Sequence, residues 1–320
     1  MIYRELGKTG LRVSIIGFGA APLGDEYGQA DPAEAERAVR AAIERGINYF
    51  DVSPFYGLTL AETRLGRALT GCRHKIILAT KVGRYGLDDF DFSARRIVRS
   101  VEESLVRLRT DYVDVLQAHD IEFADRQQII CETLPAMHRL KETGKIRFVG
   151  ATAYPLHLLK AVAELGAVDT IMSYCRYNLM DTSMHEVLTP VARQRGIGLI
   201  NASPLHMSAL TDKGEPGWHP APERVFDMAR QAVEYCRERG ADCAELALQF
   251  ALAYPDVATT LVGMSKVRHV DRNVRLVDTP PDPQLLAEVL AIIKPVANTA
   301  WEEGLPQNYD PGAQPQRPWR

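Results

Sequence analysis

Strand-like segments alternate with segments of helical period through most of this 320-residue chain. Short apolar, β-branched stretches are followed by stretches in which apolar residues recur every three or four positions. Such alternation is typical of βαβ units, in which parallel strands form a sheet and helices cover it. Eight strand-like segments are predicted, at residues 15–18, 48–51, 76–80, 113–117, 146–150, 170–173, 198–201 and 260–262.

Helix signals occupy the intervals between these segments. Residues 31–46 begin with Asp31 as a candidate N-cap and Pro32 at the first helical position, and they end at Gly46. In residues 93–111 the apolar positions fall on one helical face. Further helices are predicted at residues 127–141, 155–165, 184–194, 223–239 and 266–274.

Eight strand–helix units without a Ser/Gly-rich linker predict a (β/α)8 TIM barrel, with residues 1–320 as a single domain. Segments 4–6 and 11–13 flank Gly-Lys-Thr-Gly and predict a β-hairpin ahead of the barrel. A long loop insertion is predicted after strand seven, at residues 203–222, and a helix at 283–294 precedes a Pro- and Gln-rich tail. The catalytic face of such a barrel lies at the carboxyl ends of its strands.

The charge balance limits the possible partners. Lys and Arg total 38 against 41 Asp and Glu, with both signs interspersed, so nucleic acid and anionic membrane are not expected partners. No apolar run approaches a membrane span, and the N-terminus has no signal-peptide core. The 5 cysteines contain no C-x-x-C pair, which predicts reduced thiols and a cytoplasmic location. A monomer or a small homo-oligomer is expected.

Four polar residues follow or end the second, third and fourth strand-like segments: Asp51, Tyr56, Lys81 and His119. A phenol titrates near pH 10, and a nearby ammonium favours its ionised form, so Lys81 is expected to lower the pKa of Tyr56. Asp51 would hold the ammonium, and His119 would orient a substrate oxygen. Singly, each residue is as compatible with a cap, a surface position or a core role. Together they point to hydride transfer at a carbonyl.

The order Asp, Tyr, Lys, His resembles that of the aldo-keto reductase family, as do the opening LGKTGLRVSIIGFGA and the segment DVSPFYG. The resemblance extends over residues 3–277. It implies that Tyr56 is the general acid/base, that Lys81 and Asp51 tune it, and that His119 orients the substrate.

The segments LQAHDIEF and GEPGWHPA are similar to those of the family's aldose 1-dehydrogenase branch. This similarity implies oxidation of C1 of an aldose to the aldonolactone, with L-galactose as the expected sugar. L-Fucose or a related sugar, and pyridoxal, are alternative substrates. A non-enzymatic alternative is a dinucleotide-binding, redox-sensing subunit.

The chain has no G-x-G-x-x-G motif, so a Rossmann domain is not expected. Barrels instead bind phosphate with the loops after strands seven and eight. By resemblance, the nicotinamide cofactor would be held by Thr152, Ser173, Ser203, Leu205, Gly263, Met264, Ser265, His269 and Asn273. Ser265 is alternatively an N-cap.

The resemblance favours NAD over NADP. Many family members hold the 2'-phosphate with cations at two positions that are Gly263 and His269 in this chain. The neighbouring Lys266, Arg268 and Arg272 keep NADP possible.

The small-molecule sugar substrate is expected to contact Pro22, Leu23, Asp120, Trp218 and His219. Asp120 is equally compatible with accepting a sugar hydroxyl and with pairing to a basic neighbour. The 8 histidines show no ligand spacing, so no metal site is expected.

Overall fold

A closed barrel of eight parallel strands forms the centre of the computed structural model, which describes residues 1–317. The last three residues of the predicted tail lie outside the described part of the chain. The strands are β1 Tyr3–Glu5, β2 Arg12–Ser14, β3 Ile16–Gly19, β4 Tyr49–Asp51, β5 Ile77–Val82, β6 Val113–Ala118, β7 Ile146–Thr152, β8 Thr170–Tyr174, β9 Gly198–Ala202 and β10 Thr259–Gly263. Strands β3 to β10 pair in chain order, and β10 closes on β3. The predicted TIM barrel is confirmed.

Helices cover the outside of the barrel. They are α1 Pro32–Glu44, α2 Leu60–Ala68, α3 Ala94–Leu108, α4 Arg126–Gln128, α5 Leu134–Glu142, α6 Leu156–Glu164, α7 Ser183–Val187, α8 Thr189–Arg195, α9 Glu223–Glu238, α10 Cys243–Leu252, α11 Val267–Arg275 and α12 Pro283–Ile293. A π-helical turn, Ile129–Thr133, joins α4 to α5. The N-cap prediction for α1 is confirmed, since the Asp31 carboxylate accepts a hydrogen bond from Ala33 N at 2.9 Å.

The predicted hairpin is confirmed and closes the amino-terminal end of the barrel. Strands β1 and β2 pair antiparallel, and Lys8 N donates to Gly196 O at 2.8 Å at the start of β9. Leu6 is fully buried, and a Cβ on Gly198 would lie 2.6 Å from its Cδ1. Only the carboxyl end of the barrel is therefore left for a substrate.

The segment after β9 and the C-terminal tail cover this carboxyl end. Residues 203–222 form turns and irregular chain, as the predicted insertion requires. Within the described residues the tail packs on the barrel, since Trp301 is 1% exposed and belongs to a buried cluster with α9 and α12. Within residues 1–317 no helix has the length and hydropathy needed to cross a membrane.

Candidate active site

Side chains along a strand alternate between its two faces, and this alternation builds the site. The inward face is apolar deeper in the barrel, where it includes Tyr49 and Ala79. Two residues further along β4, β5 and β6, the inward positions carry Asp51, Lys81 and Gln117. A polar layer thus follows the apolar core towards the carboxyl end.

Lys81 and Asp51 form an ion pair in the barrel interior, where the two residues are 1% and 2% exposed. Lys81 Nζ also donates to Val52 O at 3.0 Å and to Tyr56 Oη at 3.2 Å. The second Asp51 oxygen accepts a hydrogen bond from Gln117 Nε2 at 2.8 Å. These contacts direct the ammonium at the phenol of Tyr56.

The ring of His119 stands perpendicular to that of Tyr56, with their centroids 5.8 Å apart. Its Nδ1 lies 3.0 Å from Ser53 Oγ, which in turn accepts a hydrogen bond from Phe55 N at 3.1 Å. Burial lowers the pKa of His119 to about 3; the charge of Asp120 opposes this shift, and the cations Lys81 and Arg84 add to it. The imidazole is therefore neutral at physiological pH.

The net shift of the Tyr56 pKa is upward, although the Lys81 ammonium lies beside the phenol. Burial raises the pKa of Tyr56 well above its usual value, and the carboxylates of Asp51, Asp120 and Glu26 raise it further. The physical reason is that Asp51 offsets the charge of Lys81, so removal of the phenol from water dominates. Tyr56 is therefore protonated near neutral pH.

Asp120 follows His119 directly and pairs with a base. Arg84 Nη1 donates to its Oδ2 at 2.7 Å, and His119 Nε2 lies 3.6 Å from the same oxygen. Burial alone would raise the pKa of Asp120, but the charge and the hydrogen bond of the Arg84 guanidinium lower it. Thr152 Oγ1 accepts from Asp120 N at 2.9 Å and donates to Oδ1 at 3.3 Å. Thr152 therefore holds the Asp120 loop.

The residues predicted to hold the cofactor are distributed between two places. Thr152 and Ser173 are buried at the ends of β7 and β8, and Ser173 Oγ donates to Tyr154 O at 3.4 Å. The others lie after β9 or between the end of β10 and the last turn of α11: Ser203, Leu205, Gly263, Met264, Ser265, His269 and Asn273. Met264 and Asn273 are buried and Gly263 is exposed.

The N-cap alternative for Ser265 is wrong, because the N-cap of α11 is Lys266 and its side chain makes no capping bond. A neighbouring helix caps this end instead. Glu34 of α1 accepts a hydrogen bond from Val267 N at 2.9 Å. The same carboxylate pairs with Arg37 at 2.6 Å. A negative charge therefore lies at the start of α11.

The predicted substrate residues separate into different environments. A Cβ on Gly263 would lie 2.9 Å from Pro22, which therefore lies beside the end of β10. Leu23 is 1% exposed and belongs to the core beneath the helices. The ring of Trp218 packs edge-on against Tyr27 at 5.8 Å. His219 is 1% exposed and is enclosed by His206, Phe226 and Trp301.

Comparison with known proteins shows the family. The model of the aldo/keto reductase family matches residues 15–294. This chain is an aldo-keto reductase. The family resemblance inferred from the Asp, Tyr, Lys, His order is therefore confirmed.

Relatives of this aldo-keto reductase cover nearly its whole length. The L-galactose dehydrogenase of Arabidopsis thaliana is 45% identical, covering 95% of this chain and 98% of the relative. The D-arabinose 1-dehydrogenase of Saccharomyces cerevisiae is 30% identical, covering 92% and 95%. The holo form of an aldo-keto reductase from Bacillus halodurans superposes with a TM-score of 0.77 at 31% identity, over 95% and 99% of the two chains.

Sequence reasoning missed several residues that complete the site of this aldo-keto reductase. Ser53 contacts His119, and Gln117 contacts Asp51. An amide within the apolar segment VDVLQA is a signal that could have identified Gln117. Arg84, which pairs with Asp120, carries no such signal.

Proposed function

We propose that this aldo-keto reductase is an NAD-dependent dehydrogenase that oxidises C1 of an aldose, foremost L-galactose, to the aldonolactone. One arrangement carries the proposal: the Tyr56 phenol lies 3.2 Å from the Lys81 ammonium, which is paired with Asp51. The neutral imidazole of His119 lies beside this phenol. The 45% identity to a plant L-galactose dehydrogenase supports the choice of sugar.

The residues after β9 and β10 fit a dinucleotide. Gly263 is exposed, so its backbone can approach a phosphate without an intervening side chain, and Lys266 and Arg268 are exposed beside it. We assign the pyrophosphate and adenosine to Ser203, Leu205, Gly263, Met264, Ser265, His269 and Asn273, and the carboxamide to Thr152 and Ser173. When bound, the nicotinamide supplies the acceptor for the hydride that leaves C1.

The protein's own contribution is to bind and deprotonate the C1 hydroxyl. Tyr56 Oη, once ionised, takes the hydroxyl proton, and Lys81 stabilises the phenolate. If the Ser53 hydroxyl donates to His119 Nδ1, the imidazole proton is on Nε2 and faces the substrate oxygen. His119 then holds the oxygen that becomes the lactone carbonyl, while Asp51 and Gln117 keep Lys81 in position.

We expect NADH formation from L-galactose to rise with pH from neutral to alkaline conditions. Tyr56 must lose its proton to act as a base, and its raised pKa leaves only a small ionised fraction near neutrality. That fraction grows by up to about tenfold per pH unit below the pKa. His119, with a pKa of about 3, is already neutral and does not contribute to the rise.

Initial rates of NADH formation across this pH range, with L-galactose, L-fucose, D-arabinose and pyridoxal in parallel, test the proposal. A rate that falls with pH would contradict the role of Tyr56. Preferred turnover of another substrate would replace L-galactose by that compound. Nucleotide binding without turnover of any aldose or aldehyde would favour the redox-sensing alternative.

The preference for NAD over NADP is supported by the charges around α11. The carboxylate of Glu34 lies at the start of this helix, and hydrogen bonds from Val267 N and Arg37 lower its pKa. Of the cations expected nearby, Arg272 already pairs with Asp242 at 3.1 Å. An adenosine 2'-phosphate at this helix end would meet the Glu34 charge and be repelled.

Substitution of Glu34 by glutamine should strengthen NADP binding relative to NAD by roughly five- to tenfold, since it removes a like charge from the place where the 2'-phosphate would lie. The amide oxygen can still accept from Val267 N. Dissociation constants for both nucleotides, measured by tryptophan fluorescence, give the ratio without relying on turnover. Glu36→Gln is the matched control, because Glu36 pairs with Arg40 on the same helix. Equal ratios of the NADP and NAD dissociation constants in the two variants would contradict the role of Glu34.

A further inference from the structure

The C-terminal tail is fixed to the loop that carries His119 and Asp120. Leu305 N donates to Glu122 O at 2.8 Å. Asn308 Nδ2 donates to the same carbonyl at 2.9 Å and to Ala124 O at 3.0 Å. The backbones approach so closely that a Cβ on Gly304 would lie 2.4 Å from Glu122 O. The position of the tail is therefore tied to that of the active-site loop.

Trp301 fixes the tail from the other side. Its ring stacks on Tyr154 with centroids 4.0 Å apart, and its backbone N donates to Tyr154 Oη at 3.3 Å. Its indole Nε1 donates to Glu303 Oε2 at 3.0 Å. Glu303 thus lies between two anchored parts of the tail.

One oxygen of Glu303 is left for a ligand. Oε2 accepts from Trp301 and also from Gln316 Nε2 at 3.2 Å. Oε1 has no hydrogen-bond partner within residues 1–317, and it is not among the fully enclosed polar atoms there. Burial raises the pKa of Glu303 to about 7, and the charges that act on it are those of Asp120 and Arg84. The next residue, Gly304, lies against Glu122 O, so Glu303 lies beside the loop that follows Asp120.

These contacts form a series of polar groups that leads away from Tyr56 and His119. Tyr56 and His119 are innermost, and Asp120 Oδ2 follows at 3.6 Å from His119 Nε2. Arg84 binds that oxygen at 2.7 Å, and the part of the tail that carries Glu303 lies against the loop that follows Asp120.

We propose that Glu303, together with Asp120 and Arg84, forms a hydroxyl-binding subsite for the end of the sugar opposite C1. Glu303 Oε1 accepts a hydrogen bond from the C6 hydroxyl of a hexose and so determines specificity. This inference rests on the proposed aldose oxidation. A carboxylate and a guanidinium suit this role because sugar hydroxyls both donate and accept hydrogen bonds.

L-Galactose and L-fucose make the test sharp, because L-fucose has the same configuration but lacks the C6 hydroxyl. In Glu303→Ala, kcat/KM for L-galactose should fall roughly 10- to 100-fold, the usual effect of losing a hydrogen bond to a charged group. The value for L-fucose should change little, so the galactose-to-fucose ratio falls towards one. Glu303→Gln retains an acceptor and should lie between wild type and Glu303→Ala.

Glu302→Gln is the matched control, because it removes a neighbouring carboxylate from the same tail and should leave the ratio unchanged. If kcat/KM falls equally for both sugars in Glu303→Ala, the role of Glu303 is structural and the inference is overturned. The inference is also overturned if kcat/KM changes for neither sugar. In both cases aldose oxidation itself would stand. If wild type oxidises neither sugar, the proposed function fails and this inference fails with it.

Discussion

Replacing Tyr56 with phenylalanine is expected to lower kcat for aldose oxidation by about 10²- to 10⁴-fold, the usual contribution of a positioned general acid or base. The substitution removes only the hydroxyl that lies 3.2 Å from Lys81 Nζ. The aromatic ring remains to pack against His119. Steady-state rates of NADH formation with L-galactose measure the effect.

Tyr49→Phe is the appropriate control for this loss. Tyr49 is also fully buried inside the barrel, and its hydroxyl has no hydrogen-bond partner among the described residues. Its loss should leave kcat nearly unchanged. Dissociation constants for NAD should be similar in both variants, because neither hydroxyl belongs to the proposed phosphate site. Retention of wild-type kcat by Tyr56→Phe would rule out the phenol as the proton acceptor.

Replacing Asp310 with alanine should lower the free energy of unfolding by about 3 kcal/mol, as expected when one partner of a buried ion pair is removed. Asp310 is 6% exposed, and its Oδ2 accepts from Arg176 Nη2 at 3.0 Å. The same carboxylate accepts from Leu156 N and His157 N, both at 3.0 Å. It therefore caps the start of α6 from the C-terminal tail.

Urea unfolding followed by circular dichroism measures this change as a shift in the midpoint. Asp256→Asn is the control, because Asp256 pairs with Arg193, whose side chain is 67% exposed. Exposed pairs contribute less than about 1 kcal/mol. If the two variants lose the same stability, the tail ion pair does not hold the tail on the barrel.

The spacing of apolar residues and the turn residues were sufficient to predict most of the fold, because each strand–helix unit is encoded by residues that are close together in the sequence. Two helices were not predicted. Leu60–Ala68 contains Gly66 and few apolar positions, and Cys243–Leu252 is apolar on nearly every side. In the first helix Ala61, Leu65 and Ala68 do share one buried face, but the segment is only 9 residues long and its pattern is weak; the second has no polar face from which a helical period could be read.

For the candidate site, the sequence predicted which residues meet better than it predicted their protonation states. Asp51, Lys81 and His119 could be placed together because parallel strand ends converge. The shift of the Tyr56 pKa could not be predicted from the sequence. Its direction depends on how completely the phenol is removed from water and on how closely Asp51 offsets the charge of Lys81.

The amino-acid sequence by itself determined the barrel, the hairpin at its base and the strands that deliver the acid, the amine and the imidazole, because these follow from short-range pattern. Only the tertiary structure decided which distant segments meet them. Glu303 lies more than a hundred residues beyond Asp120, and Glu34 lies as far before Val267. Their approach depends on how the tail and helices pack, which no local period encodes.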